Sequence, residues 1–151
     1  MTFRPPNEYA FAAFFDALAV PWKHEALEPD ISRAIRYQPD FWLLDSHAWL
    51  EVKPEGHAPT GGEIRVAWQL VEATGKPVYI VAGWPQPARL AMSVFAPGYQ
   101  GSQTAMNRLA MVWLAYALNR GLLEVHTASR AVMSRRMEFV RMWRESHGKE
   151  F

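Results

Sequence analysis

A strand–helix–strand pattern in the middle of the chain limits the fold more than any other feature. Ala48–Lys53 (AWLEVK) reads as a strand, and Val78–Ala82 (VYIVA) is an unbroken apolar run of strand length. Between them, Gly62–Thr74 sets Ile64, Ala67, Trp68 and Val71 on one helical stripe, with Glu63, Arg65, Gln69 and Glu72 mainly elsewhere. Gly75 suits the position just past a helix end, and Pro77 follows it. Two strands joined by a crossover helix run parallel. Residues 48–82 therefore predict a βαβ unit, and an α/β class.

The flanking sequence adds to this unit. Phe11, Phe14, Phe15 and Leu18 follow helical spacing, so Pro6–Leu18 predicts a helix that Pro21 ends. Trp22–Leu27 and the aromatic-rich Tyr37–Leu44 predict strands. Asp45-Ser46-His47 suits a tight connection, so residues 37–53 predict a β-hairpin. A hairpin beside a parallel pair makes a central mixed sheet flanked by helices. Leu90–Ala96 predicts a further strand. Met111–Leu118 and Leu122–His126 suit a hairpin about Asn119-Arg120-Gly121, with a helix over 108–118 as the competing reading. Ala128–Ser146 predicts a helix with Val132, Phe139, Val140 and Trp143 toward the core. The stretches 54–62 (PEGHAPTGG) and 97–104 (PGYQGSQT) read as loops.

Composition removes several functional classes. The 151 residues suit one domain over 1–151. The chain has no cysteine, which excludes disulfides, a thiol nucleophile and Cys-based metal sites. No apolar run reaches signal-peptide or membrane-span length, so the expected compartment is the cytoplasm, with no membrane partner. The sequence lacks GxxxxGK[ST], GxGxxG after a strand, HExxH and GxSxG. Histidines 24, 47, 57, 126 and 147 show no metal-ligand spacing and read as surface or structural residues.

One constellation carries chemistry. Strand alternation puts Trp49, Glu51 and Lys53 on one face of Ala48–Lys53, and Leu50 and Val52 on the other. An acid inside an apolar strand costs free energy unless it has a partner. A divalent cation would satisfy Glu51, and Asp40 on the adjoining strand could complete the pair. Hard oxygen ligands suit Mg²⁺ or Mn²⁺. Facing residues of a hairpin have a constant index sum. Asp40 reaches the Glu51 face only if that sum is odd, at 91 opposite Glu51 or 93 opposite Lys53, or if a bulge corrects the register. A sum of 91 implies a two-residue loop, and Asp40 on the opposite face would remove the site.

Pro39-Asp40 followed by Glu51-Val52-Lys53 resembles the signature of the PD-(D/E)xK phosphodiesterase superfamily, the restriction-endonuclease-like fold. The similarity spans residues 8–83, through NEYAFAAFFDAL, PWKHE, YQPDFWL, LEVKPE and TGKPVYIVAG, which look like small phage or mobile-element nucleases. A fainter likeness lies in Arg135-Arg136-Met137-Glu138-Phe139. Family members open with a helix carrying a glutamate, the place of Glu8, which also reads as an ordinary first-turn helix glutamate.

The resemblance implies that Asp40 and Glu51, with Glu8 and the Val52 backbone carbonyl, bind one or two Mg²⁺ (or Mn²⁺). Lys53 would orient or deprotonate the attacking water and neutralise the scissile phosphate. The implied activity is an Mg²⁺-dependent deoxyribonuclease, endonucleolytic rather than exonucleolytic, leaving a 5′-phosphate and a 3′-hydroxyl. Gln69 is a candidate for supporting the site or touching DNA, and reads equally as surface. The alternative is a non-catalytic nucleic-acid-binding or anti-defence protein on the same fold.

The net charge of +1 is a sum of unlike parts. Residues 1–56 hold five Lys+Arg against nine Asp+Glu, and residues 120–151 hold seven against four. The basic end makes Arg130, Arg135, Arg136 and Arg141 candidates for phosphate contact, against the plainer reading of a solvated helix face. A homodimer would suit cleavage of both strands of a duplex.

Overall fold

The computed structural model describes residues 6–86, 88–98, 103–106, 110 and 114. Among the described residues up to Met106, three helices and six strands follow in the order α1 (Pro6–Ala17), β1 (Trp22–His24), α2 (Pro29–Ile35), β2 (Phe41–Leu43), β3 (Ala48–Lys53), α3 (Gly61–Thr74), β4 (Val78–Gly83), β5 (Leu90–Phe95) and β6 (Gln103–Met106). The strands form one sheet in sequence order. β3 and β4 are parallel, as the crossover requires, and every other neighbouring pair is antiparallel. The molecule is thus α/β with a mixed sheet. Among the described residues no helix is long and apolar enough to cross a membrane.

The alternation of β3 divides the core. Leu50 and Val52 join Phe11, Phe14 and Phe15 of α1, with Phe41, Tyr79, Val81 and Met92, on one side of the sheet. Trp49 joins Ala67, Leu70 and Val71 of α3, with Val78, Ile80 and Phe95, on the other. Glu51 and Lys53 therefore emerge on the α3 side. α3 itself starts cleanly. Thr60 is its N-cap, and Thr60 and Glu63 bond each other's backbone N–H groups in a capping box.

Several boundaries differ from the sequence reading. The first strand stops at His24: Glu25 still donates its N–H to the Asp40 carbonyl, but its left-handed backbone (φ 49°) turns the chain out of the strand. α2 occupies residues between the two expected strands, for which the sequence pattern predicts no element. It has a proline in its first turn but buries no residue, so it leaves no apolar stripe to read. The second strand is only Phe41–Leu43, since Arg36 ends α2 in the left-handed conformation. Gln103–Met106, half inside the expected 97–104 loop, pairs with β5 as an edge strand. Ala110 and Leu114 have helical backbone and are fully buried on the α1 side, which favours the helix over the hairpin at those two positions. The rest of 108–126, the 128–146 helix, and Arg130, Arg135, Arg136 and Arg141 lie outside the described residues.

One buried side chain ties α1 to the ends of the two parallel strands. Asn7, 6% exposed, donates both amide hydrogens, to the Lys53 carbonyl (2.9 Å) and the Gly83 carbonyl (3.1 Å). Asn7→Asp keeps the shape but presents an acceptor to each carbonyl. It is expected to lower the unfolding free energy by about 2–3 kcal/mol, and Asn7→Ala by somewhat less. Urea denaturation read by tryptophan fluorescence checks both.

Candidate metal and phosphate site

The hairpin register decides whether the two acids meet. Phe41 pairs with Leu50, Trp42 with Trp49 and Leu43 with Ala48. The index sum is 91, so Asp40 lies level with Glu51. The connection is nevertheless a four-residue turn, 44–47, in which His47 takes a left-handed backbone (φ 52°). Leu44 donates its N–H to Pro21 (3.2 Å), on the β1 side, and takes no place in the ladder with β3.

Asp40 stands one residue before β2 and turns its side chain into the gap between the strands. Its Oδ2 accepts a hydrogen bond from the Val52 N–H (2.8 Å), and its backbone carbonyl accepts one from Glu25 (3.1 Å). The N–H and C=O of one strand residue point to the same neighbour. The Val52 carbonyl is thus on the edge of β3 that faces Asp40.

The Asp40 and Glu51 carboxyls face each other, and the Tyr37 hydroxyl lies beside Glu51. Glu51 is 7% exposed. Burial first, and then the facing Asp40 carboxylate, push the Glu51 carboxyl up to about 9. Burial and the charge of Glu51 also hold the Tyr37 hydroxyl protonated, well above its usual range. A buried carboxyl pair of this kind is satisfied either by a shared proton or by a cation.

Lys53 lies two residues further along the same face. Its Nζ is 4.0 Å from Glu51 Oε2 and 3.0 Å from Glu63 Oε2. Burial alone would lower its pKa, but the bond to Glu63 and the charges of Glu51, Glu63 and Asp40 outweigh it and raise the pKa. Lys53 therefore favours its ammonium form, which suits neutralising and orienting an anion. Glu63 shows the opposite balance. Burial would raise its pKa, but bonds from the Thr60 N–H, His57 and Lys53 hold it at about 2. A cavity of about 160 Å³ opens over this group, lined by Arg36, Tyr37, Glu51, Lys53, Glu63 and Ile80 among others.

Two expected members are placed elsewhere. Glu8 is buried, but its carboxylate faces His24 (3.5 Å) at β1. Among the described residues no group of three or more acidic or histidine side chains could hold a metal, so Glu8 does not join Asp40 and Glu51 in such a set. The reason is the sheet itself: α1 packs on the Val52 face, and Glu51 points to the α3 face. Gln69 is exposed, and the helical stripe that meets the sheet runs through Ala67, Leu70 and Val71, so Gln69 lies on the outer side of α3.

The structure also adds residues that the strand motif does not mark. Tyr37 and Glu63 both touch the central pair or its lysine, and His57 joins through Glu63 (2.7 Å). The Thr60-Gly61-Gly62-Glu63 spacing is legible as a capping box, but its link to Lys53 depends on how α3 packs on the sheet.

No protein-family model, curated protein or solved structure matches this chain.

Proposed function

We propose that the chain is a metal-dependent phosphodiesterase of restriction-endonuclease-like architecture that hydrolyses DNA. The observation that carries this reading is the hairpin register, which sets Asp40 against Glu51 and leaves Lys53 on the Glu51 face. The donor set fits a hard divalent cation. It comprises two carboxyls in mutual contact, one of them buried and pushed toward protonation, beside a strand edge that carries the Val52 carbonyl. Asp40, Glu51 and that carbonyl would hold Mg²⁺ or Mn²⁺, without Glu8.

A divalent cation at such a site supplies a water of lowered pKa and positive charge toward the scissile phosphate. The chain's own residues do the rest. Asp40 is fixed by the Val52 N–H, and the Tyr37 hydroxyl lies beside Glu51. Lys53, held protonated, donates to a non-bridging phosphate oxygen and offsets the charge that builds there. It also orients or deprotonates the attacking water. Hydrolysis would join a water oxygen to phosphorus and break the bond to O3′, with the water's proton passing to solvent and O3′ taking one from solvent, which would leave a 5′-phosphate and a 3′-hydroxyl.

The substrate form is tested by incubating the protein with supercoiled, linear, single-stranded and branched DNA, and with RNA, in Mg²⁺, Mn²⁺ or EDTA. Cleavage of at least one DNA form with either cation, and of none in EDTA, is the expected result. Nicking of the supercoiled form identifies endonucleolytic action. Retention of DNA without cleavage under every condition would replace this reading with the non-catalytic binding protein. Light scattering of the same sample reports whether a homodimer forms.

A further inference from the structure

Lys53 needs a fixed partner if its ammonium is to stay beside the carboxyl pair, and Glu63 is the nearer of its two acids, at 3.0 Å against 4.0 Å for Glu51. Three bonds fix the Glu63 carboxylate. Oε1 accepts from the Thr60 N–H (2.8 Å) and lies 2.7 Å from His57 Nε2, and Oε2 faces Lys53. The Glu63 N–H is bonded in turn to the Thr60 hydroxyl (3.1 Å). The first turn of α3 thus presents one carboxylate oxygen, already oriented, to a long side chain with many rotamers.

We propose that Glu63 is a positioning residue that pins the Lys53 ammonium on the Glu51 side of the site. The consequence for catalysis rests on the phosphodiesterase reading, while the pinning itself does not. Capping alone does not explain the choice of residue. A glutamine at the third helical position completes a capping box as a glutamate does, since the box uses only a side-chain oxygen. The negative charge is what Lys53 requires. Charge pairing and capping can therefore be separated by two substitutions. Glu63→Gln keeps the box and removes the charge. Thr60→Ala removes the hydroxyl cap and keeps the charge, with the backbone N–H still bonded to Glu63 Oε1.

The experiment uses the full chain with uniform ¹⁵N label. The Lys53 ammonium resonance, assigned by its disappearance in Lys53→Met, is expected in the wild type and in Thr60→Ala, where the ion pair slows proton exchange. It is expected to vanish or broaden in Glu63→Gln. Thr60→Ala is expected to melt at a lower temperature than Glu63→Gln. On a labelled DNA fragment that the wild type cleaves, Glu63→Gln is expected to lower kcat at least about tenfold, with KM within about twofold. Thr60→Ala is expected to stay within about twofold in both. Glu63→Gln retaining either the Lys53 resonance or the wild-type kcat overturns the proposal and leaves Glu63 as a helix cap. If the wild type cleaves no DNA, the phosphodiesterase reading falls, and the resonance alone decides whether Glu63 pins Lys53.

Discussion

Glu51→Gln is expected to abolish DNA hydrolysis, by about a thousandfold or more, and at the same time to make the metal-free protein more stable. Loss of activity alone would fit many mechanisms, whereas the combination is specific. Burial, and then the Asp40 carboxylate, raise the Glu51 carboxyl from 4.5 to about 9 in the folded chain. The folded state then holds that proton more tightly than the unfolded state does. The contribution of Glu51 to stability is greatest below pH 4.5, and it declines as pH rises through the window from 4.5 to about 9. Glutamine cannot ionise, so the variant loses that decline and melts above the wild type on the alkaline side of the window. Mg²⁺ or Mn²⁺, at the proposed site, is expected to restore the wild type there and to do little for the variant. Melting temperatures across that pH range, with and without cation, check both halves. A wild type more stable than Glu51→Gln in metal-free alkaline buffer would show that the pair is already satisfied by the protein.

The largest loss of stability is expected from Gly83→Ala. Gly83 ends β4 with φ at 109°, a conformation that L side chains rarely adopt. A Cβ at this position would come within 2.0 Å of the Arg89 carbonyl oxygen, which is backbone and is itself bonded to the Trp84 N–H (2.8 Å). Neither partner can give way without opening the β4–β5 connection. A cost of about 3 kcal/mol or more follows from the strained dihedral and the clash together. Gly98 makes the control. Its φ is 86°, but nothing lies within 4 Å of an added Cβ, so Gly98→Ala is expected to cost only about 1 kcal/mol. The effect of Gly83→Ala reaches the site, because the Gly83 carbonyl is one of the two that Asn7 clamps and the other belongs to Lys53. Chemical denaturation of the two glycine variants side by side measures the difference.

The elements that were legible are those whose side chains face a core. β3 occupies Ala48–Lys53 as its alternation predicts, and α1 and α3 bury the stripes read from Phe11, Phe14 and Phe15 and from Ala67 and Val71. The parallel pairing of β3 with β4 follows from the helix between them. α2 was not legible because it buries nothing, and β6 was not because Gln103–Met106 is a short edge strand beside a loop-like run of Gly, Ser and Gln.

The same division holds at the site. Asp40 and Glu51 could be brought together on paper by an index sum, since register is a discrete choice. Glu8 could not be placed that way. Its position depends on which face of the sheet α1 covers, and there it meets His24. The tie between Glu63 and Lys53 likewise joins a helix start to a strand end through packing that no local pattern encodes.

Asp40, Glu51 and Lys53 are proposed to act as one hydrolytic centre with a divalent cation. Single-turnover hydrolysis of end-labelled DNA by the wild type, Glu51→Gln and Lys53→Ala, all in Mg²⁺ and each checked for an intact fold, tests it most directly. The wild type is expected to give 5′-phosphate ends, with rates reduced by about a hundredfold or more in both variants. Equal rates in the wild type and either folded variant, or no hydrolysis by the wild type with Mg²⁺ or Mn²⁺, would contradict it.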